Sequence, residues 1–219
     1  SQILGGSITA FATMLASFLI GITLGSAVAS VFARSRKGSA LGFVLSQIGI
    51  AVLSMYVWSQ LDGLPARFLE LKETSDGSGL TAKASVAIFV LLPAALCIGA
   101  TFPFALRVLA NRSAHAGRDS ARVYSWNTVG AIVGAGLAGF FLIPELSFTG
   151  ATRLAVITNL VLALLTALIF LRSQKLTVGL TILCLVLGIG GFQPQTPEKL
   201  LRYSSFGLPA DGRIIYTGV

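Results

Sequence analysis

Long runs of apolar residues alternate with short clusters of charge along this chain, and the runs are about the 20 residues that a helix needs to cross a lipid bilayer. The first predicts a helix that begins near Ser7, after the Gly5-Gly6 break, and stops at Arg34, Arg36 and Lys37. A second spans Leu41 to Leu61, with Tyr56 and Trp58 near its end, where aromatic rings favour the headgroup level. Asp62 to Lys83 is a mixed-charge loop; its first part, Leu64 to Lys72, reads as a short interfacial helix with Leu64, Phe68 and Leu71 toward lipid. The third span, Ala84 to Leu106, contains Pro93 and Pro103 and is expected to kink, with Thr101 placed to satisfy a freed carbonyl. Spans four to six are Val123 to Ile143, ending at Pro144, then Leu154 to Leu171, then the shorter, Gly-rich Leu176 to Phe192. Pro194 and Pro197 end helical structure, Pro209 to Gly212 forms a turn, and Arg213 to Thr217 has strand character. The expected architecture is therefore all-α, a polytopic transmembrane bundle of about six spans over residues 1–192. An extramembrane tail of strand character, residues 193–219, reads as the start of a soluble domain.

Composition agrees with that pattern. The 219 residues are 54% hydrophobic and 11% charged, with a mean hydropathy of +0.84, outside the range of a soluble domain. No basic flank precedes the first apolar run, so it reads as a span and not as a secretory signal peptide. The net charge of +8 would suit nucleic acid, but Lys and Arg are divided among short clusters between spans and form no continuous basic face. Anionic lipid headgroups are the partners that such clusters fit.

Those clusters also orient the chain. Arg34, Arg36 and Lys37 follow span one; Arg107, Arg112, Arg118 and Arg122 follow span three; Arg172 and Lys175 follow span five. The positive-inside rule places loops 34–37, 107–122 and 172–175 in the cytoplasm. The expected location is a bacterial inner membrane, with both chain ends outward if all six segments cross.

Candidate chemistry inside the spans is sparse. No Asp or Glu lies in any of them, which disfavours a proton- or sodium-coupled carrier. Cys97 and Cys184 stand alone in apolar segments and read as packing residues. His115 lies among arginines in a loop, and the Asn111-Arg112-Ser113 sequon falls on the side where it would not be glycosylated. No phosphate-binding loop, metal-ligand cluster or nucleophile-and-base set is present, so no catalytic, cofactor or metal residue is assigned.

Small residues instead recur at four-residue spacing: Ser17, Gly21, Gly25 and Ala29 on the first span, and Gly130, Gly134 and Ala138 on the fourth. Such ladders let two helix backbones approach closely in lipid, either within one bundle or against another subunit. Polar residues gather at the start of span four, where Arg122, Tyr124, Asn127 and Thr128 could pin it to a neighbour or, with Thr101, line a ligand site. Gln47 and Asn159 are lone amides that read as interhelical glue.

Three segments together resemble the membrane portion of the spermidine-synthase-like integral membrane proteins. They are Leu4 to Ser7 running into Phe18 to Ser26; Gly99-Ala100-Thr101-Phe102-Pro103; and Arg122-Val123-Tyr124 followed by Asn127 to Ala131 and Gly134. The likeness runs from Ile3 to about Phe170. It implies a multi-helix module that precedes a polyamine aminopropyltransferase-type domain. The acidic, Gly-rich motif with which such a domain binds decarboxylated S-adenosylmethionine is not in this chain, nor is the family's usual first helix with its acidic residue. The expected role is thus a non-catalytic module that anchors a soluble domain or serves as accessory subunit to other membrane proteins. The alternatives are a small-solute transporter and an aminopropyltransferase whose enzyme domain lies beyond Val219.

Overall fold

The computed structural model describes residues 8–64, 80–109, 116–171 and 175–192. Six α-helices account for nearly all of them: α1 (Ile8–Phe32), α2 (Arg36–Gln60), α3 (Leu80–Leu109), α4 (Ala116–Leu137), α5 (Ile143–Phe170) and α6 (Lys175–Gly191). A 3-10 turn, Leu61–Gly63, ends α2, and a π-helical segment, Ala138–Leu142, joins α4 to α5. Apolar side chains cover the outside of the molecule, with Ile132 and Ile169 each 69% and Phe140 80% exposed. Water would not support such a surface, and hydrocarbon does. This is a polytopic, helical, membrane-embedded protein.

The expected architecture needs correction on two points. Four helical stretches, not six, are long and apolar enough to cross a membrane: Phe11–Phe32, Arg36–Gln60, Ala84–Leu109 and Gly117–Phe170. A shorter apolar helix, Thr177–Gly190, follows. The expected fourth and fifth spans lie in one apolar stretch of 54 residues that Ser147, with non-helical φ and ψ, divides; the chain is helical on both sides of that residue, so the loop expected from Pro144 to Arg153 is reduced to a kink. The second point concerns the tail: no strand occurs among the described residues, and Arg213 to Thr217 lies outside them.

Pro144 explains how the chain stays helical through that region. A proline has no N–H for the carbonyl four residues back, and here the ladder widens by one residue ahead of it, Ile143 donating to the Ala138 carbonyl five residues earlier. Pro144 then occupies the first turn of α5, the part of a helix that best tolerates a residue without an N–H. The direction of the chain changes at Ser147, whose φ of 59° and ψ of 175° break the helix.

Helix α2 begins at Arg36, five residues earlier than the hydropathy predicts, because Ser35 caps it by accepting from the Gly38 amide at 3.1 Å. Helix α3 continues through Pro93 and Pro103. Thr101 donates to the Ile98 carbonyl at 2.6 Å, one residue short of the Gly99 carbonyl that Pro103 leaves without its usual donor. Leu64, expected to face lipid, is buried beside Val86 and Ala87 with Met14 against it.

In space the helices lie in the order α1, α3, α2, α5, α6. Each neighbour in that row is antiparallel to the next except α1 and α3, which run the same way, as the pairings Gly21 with Leu92 and Gly25 with Leu96 require. The α2–α5 seam is made of small residues, Ala40, Ala51, Ala163 and Ala167, all fully buried, with Val44, Val156 and Leu160 filling between them. Helix α4 comes near α3 but stands outside this row.

Candidate interaction surfaces

The two small-residue ladders have different surroundings. On α1, Ser17 is 5% and Ala29 2% exposed; a Cβ added to Gly21 would sit 2.5 Å from the Ala95 Cβ, and one added to Gly25 would overlap the Leu96 carbonyl oxygen. From the other side, a Cβ on Gly99 of α3 would overlap the Ile22 carbonyl. The two backbones therefore touch, and only glycine permits it. Ser17 turns its hydroxyl back to the Thr13 carbonyl at 2.8 Å, so no polar group is left unsatisfied in the seam.

On α4 no residue from Gly117 to Leu137 is buried, and a Cβ on Gly130, Gly134, Gly136 or Gly139 would meet nothing within 4 Å. Tyr124 is 65% and Trp126 74% exposed; Arg122, Asn127 and Thr128 are exposed as well. Thr128 donates to the Tyr124 carbonyl at 2.9 Å. Half-buried Thr101 belongs to α3 and bonds within its own helix. The structure thus does not bring Thr101 and Asn127 together. Helical geometry puts Asn127, Gly134 and Ala138 within about 20° of one line along α4, with Gly130 about 60° to one side.

Several close approaches were not legible as sites. Gly42 lies against the Phe104 ring and Gly49 against Cys97 Sγ, which together seat α2 on α3, and Gly188 seats α6 on Leu160. The seven-residue spacing of Gly42 and Gly49, and the four-residue spacing of Ala163 and Ala167, were the available signals. The lone amides do not bridge helices: Asn159 donates to Ala155 of its own helix at 2.8 Å, and Gln47 has a buried Oε1 with no partner. His115, Asn111 and Arg112 lie outside the described residues.

At the basic end of the row, arginines tie helix ends together. Arg36 Nε donates to the Val108 carbonyl at 3.0 Å, and Arg107 donates to the Arg34 carbonyl from Nε at 3.4 Å and from NH2 at 3.1 Å. The Arg36 guanidinium also lies 5.3 Å from the Phe170 ring centroid. The Val108 carbonyl, in the last turn of α3 and without a helical partner of its own, thus receives a cation, as the helix dipole favours, and Arg107 ties α3 to the turn that follows α1. At the opposite end Arg153 NH2 donates to Ile189 at 3.0 Å and fastens α5 to α6. No group of His, Cys, Asp and Glu able to hold a metal occurs among the described residues.

No family model, curated protein or solved structure matched this chain.

Proposed function

We propose that this chain is a non-catalytic membrane module, related to the N-terminal part of the spermidine-synthase-like membrane proteins, that presents α4 to another membrane protein as an anchor or accessory subunit. The observation that carries this reading is the open face of α4. A span of small residues gains little from facing lipid, since its value lies in the close backbone contact that it allows. The Asn127 amide adds to the argument. It lies five residues, about 7.5 Å along the axis, deeper than Arg122, and a polar group at that depth is stabilised by a hydrogen-bonding neighbour. Both features face one way, and α1 illustrates what such a ladder does once a partner is present. A carrier would need Thr101 and Asn127 to line a common cavity, and their placement on separate helices, one on the open surface, favours the docking role.

A photocrosslinker at Ala131, on the Asn127–Gly134 face, tests the proposal in native membranes. The expected result is one discrete adduct with a different polypeptide, and none from a crosslinker at lipid-facing Leu19. Adducts with lipid alone, or with a second copy of the chain, would overturn it. The mass of the native polypeptide then separates the two roles: one larger than 22.8 kDa by a whole domain is an anchor, and one near that value is an accessory subunit.

A further inference from the structure

We propose that the turn between α1 and α2, together with the last turn of α3, is a binding site for the phosphate of an anionic phospholipid. Arg34, Arg36, Lys37 and Arg107 meet there, all exposed. Three of them are already held in place by backbone carbonyls: Arg34 Nε by Val31 at 3.1 Å, Arg36 by Val108 and Arg107 by Arg34. A guanidinium carries five N–H donors, and these bonds use one or two of them, leaving the outer edges of the forks for a ligand. Side chains fixed beforehand lose less entropy when they bind, and the planar fork matches phosphate oxygens.

Among the described residues the three arginines bond backbone carbonyls and no carboxylate. The apolar surroundings decide in favour of a lipid over a soluble phosphate compound. In the last turns of α1 and α3, next to these arginines along the chain, Val31 is 58%, Phe32 69% and Leu109 54% exposed. A ligand with its phosphate on the guanidinium groups would therefore lay acyl chains along these side chains. That combination of a cationic lid above an apolar wall fits a phospholipid.

Native mass spectrometry of the full chain from nanodiscs of phosphatidylcholine with phosphatidylglycerol tests this by counting bound molecules of each lipid. The expected result is retention of phosphatidylglycerol over phosphatidylcholine, reduced about fivefold for each charge removed near the surface. Arg34→Gln and Lys37→Gln are the informative substitutions, because neither side chain bonds another helix. Arg107→Lys keeps the charge but gives up the fork, and should lose part of the preference. Arg153→Gln, at the opposite end, should leave it unchanged. Should the glutamine variants fold poorly, the unaltered protein still tests the idea, since the preference must weaken as salt rises. Equal retention of the two lipids, a preference untouched by the Arg34→Gln/Lys37→Gln double change or by salt, an equal loss with Arg153→Gln, or full displacement by millimolar inorganic phosphate would each overturn the proposal.

Discussion

Helices α1 and α4 carry almost the same information and meet different fates. Each has small residues at four-residue spacing on one face, and each is apolar enough to lie in a bilayer. In α1 that face is closed, with Gly25 against the Leu96 carbonyl and Gly21 against Ala95. In α4 the corresponding glycines face open space. The ladder is a capacity for close contact, and whether it becomes internal packing depends on where the rest of the chain places a second helix. Helix α3 supplies that second helix for α1. For α4 the break at Ser147 and the π-helical segment before it direct the helix away from the row that α5 joins.

Matched substitutions break this comparison most directly. Gly25→Leu should have the largest effect, because nothing beside it can yield except backbone: a loss of about 3 kcal/mol, as for severe overpacking, read as a lower melting temperature in detergent. Gly21→Ala should cost less, about 2 kcal/mol, since the added methyl is smaller and would lie 2.5 Å from the Ala95 Cβ and 3.1 Å from the Leu92 carbonyl oxygen. Ser147→Gly addresses the hinge. At a φ of 59° and a ψ of 175° the backbone lies where side chains are strained, so glycine should raise stability by about 1 kcal/mol; a loss would mean that the bond between Ser147 Oγ and Thr149 Oγ1, at 2.7 Å, matters more than the strain. Gly134→Leu should change the melting of the isolated chain least, by about 0.5 kcal/mol or less, while lowering the yield of the Ala131 crosslink about tenfold for roughly 1.4 kcal/mol of lost docking. Equal melting losses for Gly25→Leu and Gly134→Leu would erase the distinction between the two helices.

Much of the fold was legible because hydropathy reports transfer into lipid residue by residue. The helix over Ile8–Phe32 matches its apolar run closely, and Lys175–Gly191 matches the last one. Legibility failed where the decision was not about transfer. Pro144 looked like a terminus, since a proline removes a helical hydrogen bond, but one extra residue in the π-helical segment accommodates it. Leu64 looked suited to a lipid-facing role and instead packs beside Val86 and Ala87. Gly42 and Gly49 gave little warning of their contacts, because a glycine's partner lies on another helix, at a distance along the chain that no local pattern encodes.

By itself the sequence determined the solvent of this protein, the helical state of its spans and the faces on which helices could meet, because oil content, backbone hydrogen bonding and four-residue spacing are local properties. The tertiary structure alone decided that α3 lies between α1 and α2, that alanines seal α2 to α5, that arginines tie the ends of α1, α2 and α3 together, and that α4 remains open. Those outcomes depend on which surfaces come within van der Waals reach of each other, and helices embedded in lipid choose their neighbours by shape and polar pairing, since burying one apolar side chain against another gains little there.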